Sequence, residues 1–167
     1  MKIQRLTVTD AQAFFEVRLT GLREFPEAFG ESVEEFEQRN IRDIANLFSA
    51  GEATGDFVFG AFDKTLVGVV GFRKQAQSKT CHTGVLWGMY VLPEARRKGV
   101  AKSLVGALVS YARSIPQVEQ IKLAVESTNV PAISLYKSVG FQQYGVEPRA
   151  LKVNGQYYAE EHMMLRL

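Results

Sequence analysis

The chain has 167 residues, 46% of them hydrophobic and 23% charged, a length and composition that suit one compact domain with a real core over residues 1–167. A formal net charge of +2 excludes the strongly basic field of a general nucleic-acid binder, and a lone cysteine, Cys81, excludes an internal disulfide or a thiolate metal site. No apolar leader follows Met1-Lys2-Ile3 and no run approaches the roughly 20 apolar residues of a spanning helix, so a cytoplasmic protein without membrane or nucleic-acid partners is expected.

In chain order, Ile3, Leu6 and Val8 fit a short strand, after which Thr9 or Asp10 caps a helix carrying Phe14, Phe15, Val17, Leu19 and Leu22. The segment Phe25-Pro26-Glu27-Ala28-Phe29-Gly30 breaks that helix. Ser32 and Glu35 form a capping box that opens a second helix with Val33, Phe36, Ile44 and Leu47. A turn-rich break over residues 51–55 precedes two strands, Phe57–Phe62 and Leu66–Phe72, joined as an antiparallel hairpin by Asp63-Lys64-Thr65. After a polar loop over residues 74–83, Val85–Leu92 reads as a strand that stops at Pro93. Val100, Leu104, Leu108 and Tyr111 then recur at helical spacing as far as Pro116. Ile121–Val125 is the next strand, and Asn129 caps a short helix bearing Ile133, Leu135, Tyr136 and Val139, closed by Gly140. Phe141–Val146 and Tyr157–Leu165 complete the chain as strands. The strand-helix-strand-helix run over residues 85–141 requires one parallel pairing inside an otherwise antiparallel sheet, so the expected fold class is α/β with a mixed sheet.

The most informative segment runs from a strand end straight into a helix: Arg96-Arg97-Lys98-Gly99-Val100-Ala101-Lys102. Cations at a helix N-terminus are unfavourable by about 0.3–1 kcal/mol each, so an anion is expected to offset them. A pyrophosphate fits, with Gly99 letting the backbone curl, amides from about Arg97 to Lys102 cradling the oxygens, and the basic side chains closing over them. Taken by itself, the turn is also consistent with a solvated basic loop. Neither G-x-G-x-x-G nor G-x-x-x-x-G-K-[ST] occurs in this turn, which sets aside dinucleotide and P-loop sites.

At this point the chain resembles the GNAT acetyltransferase superfamily. Arg96-Arg97-Lys98-Gly99-Val100-Ala101 matches its [QR]-x-x-G-x-[GA] turn. Leu123, Val125, Asn129, Ala132, Tyr136, Gly140 and Phe141 match its later L-x-V-x-x-x-N, A-x-x-x-Y and G-F signature. The match is firm over residues 56–142 and extends by element order toward both ends.

The resemblance implies a sheet splayed between Val85–Leu92 and Ile121–Glu126, with acetyl-CoA in the gap as cosubstrate and no metal. It implies that backbone groups around Met89, Tyr90 and Val91 hold the pantetheine arm as an added strand would. Asn129 then contacts the arm while capping its helix, and the Tyr136 hydroxyl protonates the departing thiolate, unless Tyr136 is only a half-buried helix aromatic. Gly88 either permits a bulge that aims an amide at the thioester oxygen or is a plain strand glycine. Many relatives carry a glutamate on the strand before the turn; Val85–Leu92 has none, so Glu126 is the nearest carboxylate, either as base or as a solvated strand-end residue with water relaying the proton.

Glu24, Glu27, Glu31, Glu34, Glu35 and Glu37 gather where the acceptor would enter, either drawing in a cationic amine or forming a solvated helix face. Trp87, Phe25 and Phe29 either line that cleft or pack in the core, while His82 and His162 read as surface or strand-edge residues. The expected activity is transfer of an acetyl group to a primary amine of a small molecule or peptide, with a non-catalytic acyl-CoA sensor as the alternative. The expected partners are acetyl-CoA and the amine, and a homodimer is left open.

Overall fold

A computed structural model describes residues 1–167, the side chain of Glu52 excepted. Seven strands form one sheet: β1 (Lys2–Arg5), β2 (Phe57–Asp63), β3 (Thr65–Lys74), β4 (Thr83–Val91), β5 (Gln120–Glu126), β6 (Gln142–Val153) and β7 (Gln156–Arg166). Their spatial order is β1-β2-β3-β4-β5-β7-β6, and every pairing is antiparallel except β4 with β5. Helices α1 (Ala11–Glu24), α2 (Val33–Glu37), α3 (Ile41–Thr54), α4 (Val100–Ala112) and α5 (Val130–Val139) flank it. The mixed α/β class, the hairpin at Lys64 and the single parallel pair are as the sequence predicts. No helix among the described residues is long and apolar enough to cross a membrane.

The sheet buries both faces, which is why its central strands are almost continuously apolar. On one face α1 and α3 cover Val58, Val69 and Tyr90 with Phe14, Leu22, Ile44 and Phe48. On the other, α4 and α5 cover Phe72, Ile121 and Met163 with Leu104, Leu108 and Ile133.

Three local expectations are corrected. The second helix is two helices, because Asn40 accepts from the Asp43 amide and restarts the chain as α3 after α2 has ended at Glu37. Helix α3 then runs through Gly51 and ends at Gly55 in the left-handed region, so residues 51–54 are helix and not turn. Strand β6 continues past Pro148 to Val153: it is an edge strand whose register shifts between Glu147 and Leu151, so Pro148 falls where no ladder partner needs its missing N–H.

The parallel pairing of β4 with β5 is short, joining only Thr83–Val85 with Gln120–Lys122. Beyond it the strands part, and β4 supplies the cause. Val69 faces Tyr90 and Gly71 faces Trp87, so Gly88 and Met89 together oppose Val70 in a bulge. Gly88 takes φ +65, a conformation that a side chain disfavours, and the bend leaves the later part of β4 with an open edge toward β5.

Candidate active site

The opening between the strands holds a cavity of about 590 Å³, the size of a small-ligand site. Its walls are Leu86 to Val91 of β4, Ala124 to Glu126 of β5, and Asn129, Ala132, Leu135 and Tyr136 at the start and along the inner side of α5. Ala101 and Arg96 join the wall from the turn into α4, and Phe25, Glu27, Ala28 and Phe29 from the segment after α1, with the Arg96 guanidinium 5.4 Å from the Phe25 ring. Met89, Tyr90, Val91, Arg96, Ala101, Glu126, Asn129 and Tyr136 are thus brought together around one space, as are the aromatic residues Trp87, Phe25 and Phe29.

The basic turn lies beside Ala101. Gly99 is the N-cap of α4 at φ +77 with no side-chain cap, and Arg97 also has positive φ, at 59°. The first helical bond runs from Ser103 N–H to the Gly99 carbonyl, so the amides of Val100, Ala101 and Lys102 are left without helical partners. Successive amides in such alternating conformations form an anion-binding concavity. Arg97, Lys98 and Lys102 are exposed around it, and Lys98 donates 2.8 Å to the Glu94 carbonyl. Val100 is buried, so its contribution is limited to its amide.

Arg96 does something other than the sequence suggests. Its guanidinium turns away from the turn and grips Glu24 at 2.6 and 2.8 Å, while its Nε donates 2.9 Å to the Val91 carbonyl. Tyr90 donates to the same Glu24 carboxylate. Hydrogen bonds from Arg96 and Tyr90 hold the Glu24 carboxyl below its usual range, and burial with the adjoining carboxylate pushes the Tyr90 phenol up to about 12. The expectation that the Arg96 side chain closes over phosphate is corrected: it pins the start of the turn to α1. Leu92 N–H donates to Val67 on β3, so the alternation of a strand directs the Val91 groups toward the gap, with its carbonyl already held by Arg96.

On α5, Asn129 accepts 3.2 Å from the Ala132 amide through Oδ1, which caps the helix and leaves its side-chain NH₂ free to donate. Tyr136 is buried against Phe141 and lines the cavity; no hydrogen bond joins its hydroxyl to the described residues. Burial pushes the phenol up from its ordinary value, so it remains a proton donor at neutral pH.

Glu126 is not a solvated strand-end residue. Only 4% of it is exposed, and its Oε2 accepts from Thr128 through the amide at 3.0 Å and the hydroxyl at 2.6 Å. Its Oε1 receives no hydrogen bond from the described residues, and the residue lines the cavity. Glu126 faces Glu160 across β5 and β7, and Glu160 faces Glu147 across β7 and β6, a row of directly opposed like charges. Burial, with Glu147 and Glu126 adding to it, raises the Glu160 carboxyl. His162, read as a surface residue, lies 3.3 Å from Glu147 in this row, whereas His82 sits by Gln120 away from the cavity.

The acidic junction is largely spent on internal partners. Glu24 is bound by Arg96, Glu37 by Arg23, and Glu31 by Arg39, while Glu35 closes the Ser32 capping box. Glu27 is the member that lines the cavity. Sequence reasoning missed Arg18, which is 5% exposed behind Phe29 and Gly88. The signal was an arginine inside the apolar stripe Phe14, Val17, Leu22 of α1.

The profile of the Acetyltransferase (GNAT) family matches residues 19–141. The chain belongs to this family. It is an acyltransferase by that membership, and the family uses acetyl-CoA. Among relatives, the spermidine N(1)-acetyltransferase of Vibrio cholerae is 26% identical over 137 residues, 82% of this chain and 76% of that protein. The L-amino acid N-acetyltransferase of Escherichia coli is 28% identical over 101 residues, 60% of this chain and 62% of that protein. A Salmonella typhimurium acetyltransferase solved with acetyl-CoA superposes with a TM-score of 0.88 over 100% of this chain and 94% of that one, at 20% identity, a likeness of fold.

Proposed function

We propose that this GNAT chain transfers the acetyl group of acetyl-CoA to a primary amine of a small molecule or peptide by direct attack within a ternary complex. The observation that carries the reading is one cavity whose lining includes Ala101 at the donor-rich N-terminus of α4, Gly88 of the bulge, Tyr136, and the acidic and aromatic residues Glu27, Glu126, Phe25 and Phe29.

Acetyl-CoA, when bound, supplies an activated thioester carbonyl. The Val100, Ala101 and Lys102 amides hold its phosphates, with Arg97, Lys98 and Lys102 adding charge at the rim. The Met89 region and the Val91 amide hold the arm on one side, and the Asn129 NH₂ on the other. The bulge takes Gly88 and Met89 out of regular pairing with β3, which leaves an amide to stabilise charge on the thioester oxygen. The Tyr136 Oη gives its proton to the departing sulfur. Glu27 and the Glu126 Oε1 draw the ammonium form of the acceptor inward, and water carries its proton to solvent.

The test follows CoA thiol release on mixing protein, acetyl-CoA and a panel of primary amines, with the acetylated product identified by mass. Amine-dependent release with matching product is expected. Tight acetyl-CoA binding with no release for any amine would instead identify a non-catalytic acyl-CoA module.

A further inference from the structure

The cavity wall hides a cation with an unused hand. Arg18 projects from α1 and is 5% exposed. Its Nη2 lies 3.7 Å from Glu31, itself held closer by Arg39 at 2.6 Å, and its guanidinium stacks 4.4 Å from the Phe29 ring. Its Nη1 is buried with no hydrogen-bond partner among the described residues. A buried donor left unpaired is destabilising, more so when it is charged, and burial lowers the pKa of this guanidinium against the opposing pull of Glu31. Such a group calls for a partner that the protein itself does not supply, a water, an ion or a group of a ligand.

Its position tells which. A Cβ built on Gly88 would meet Arg18 Nη1 at 3.5 Å, so the guanidinium lies immediately behind the bulge where acetyl transfer is proposed to occur. Phe29 and Gly88, the residues that cover it, both line the cavity. The indole Nε1 of Trp87, next to Gly88 in the chain and also a cavity residue, is a second buried donor without a partner among the described residues. The Trp87 ring packs over Gly71 of β3, so Arg18 Nη1 is the unpaired donor behind the bulge, while Glu27 and Glu126 stand on the cavity wall.

The geometry points to an acceptor that is a zwitterion, an amine whose own carboxylate lies one carbon away, as in a free α-amino acid. With its nitrogen over the bulge, that carboxylate is within reach of Arg18 Nη1 once the Phe29 ring moves aside, and the guanidinium fork suits it. The Glu27 and Glu126 carboxylates then attract the ammonium group, and the buried arginine selects the acid. A peptide N-terminus or an amide offers a neutral carbonyl at the same place, and a simple amine offers nothing. This inference rests on the acetyl-transfer reading above and narrows its acceptor.

The test compares glycine, leucine, phenylalanine and lysine, each beside its amide and its decarboxylated amine, in the thiol-release assay with full-length protein. For every side chain that is turned over, kcat/KM for the acid is expected to exceed that for the amide and the amine by about 10-fold to 100-fold, as for one hydrogen bond to a charged group. Arg18→Met should level the three, Arg18→Lys should restore part of the preference, and both should bind acetyl-CoA as the wild type does. The wild-type comparison stands even where a variant fails to fold. Faster turnover of the decarboxylated amine, including the diamine from lysine, would overturn the inference while leaving acetyl transfer intact. An equal loss for all three acceptors in folded Arg18 variants would also overturn it. Acetyl-CoA binding with no release for any compound would remove the acetyl-transfer reading itself.

Discussion

Replacing Tyr136 with phenylalanine separates chemistry from packing. The ring is buried and meets Phe141 edge-on at 5.8 Å, contacts that phenylalanine keeps. The hydroxyl makes no hydrogen bond to the described residues, so its removal breaks none of theirs and leaves no donor or acceptor unpaired, and the fold is expected to keep its stability. Burial holds the phenol protonated, and its place in the cavity wall makes it a candidate donor to the departing sulfur. Losing a positioned acid lowers the rate about 100-fold to 10,000-fold, or about 2.7–5.4 kcal/mol in barrier. Thiol release under saturating substrates gives kcat, a thermal melt gives stability, and calorimetry gives acetyl-CoA affinity. The expected pattern is a depressed kcat with an unchanged melt and unchanged affinity, the mark of an interaction made only in the transition state. An unchanged kcat, with chemistry shown to be rate-limiting, would remove Tyr136 from the mechanism.

Gly99→Asp puts a side chain at φ +77, at about 1–2 kcal/mol, and a carboxylate beside the amides of α4; it should abolish calorimetric acetyl-CoA binding in a protein that still melts cooperatively. Glu126→Gln keeps an oxygen for the Thr128 donors and should change turnover by less than about 10-fold, because water carries the proton; a collapse that tracks an enzyme group near neutrality for acceptors of different pKa would make Glu126 the base. Burial and the Glu24 carboxylate push the Tyr90 phenol up to about 12 in the fold against about 10 unfolded, so its contribution to stability is full below pH 10 and fades between pH 10 and about 12. Denaturant midpoints across that window should fall more steeply for the wild type than for Tyr90→Phe, and parallel curves would show that the phenol is not coupled to folding.

The parts of the site legible in the sequence were those set by the backbone. Gly99 after a strand and before an apolar stripe places unpaired amides at a helix start whatever surrounds them, and Asn129 caps α5 by the same local rule. The boundary between α2 and α3 was harder, because Gln38-Arg39-Asn40 contains no proline or glycine and only the Asn40 cap marks the break. Side chains whose direction depends on a distant partner were illegible. Nothing local turns Arg96 toward Glu24, 72 residues away, and nothing in the α1 stripe says that Arg18 is folded inward behind Phe29. Glu126 looked like a solvated strand end because its burial depends on the closure of the cavity walls around it and on the donors of Thr128.

The central claim is that the acetyl group passes through the gap between β4 and β5 to an amine on the far side. A crystal structure with a CoA–amine bisubstrate conjugate tests it most directly. The phosphates are predicted on the amides of Val100 to Lys102, the arm between Val91 and Asn129, and the amine portion between Gly88 and Glu126. A conjugate seated elsewhere, or one whose amine portion never reaches Glu27 and Phe29 in the cavity, would contradict the account.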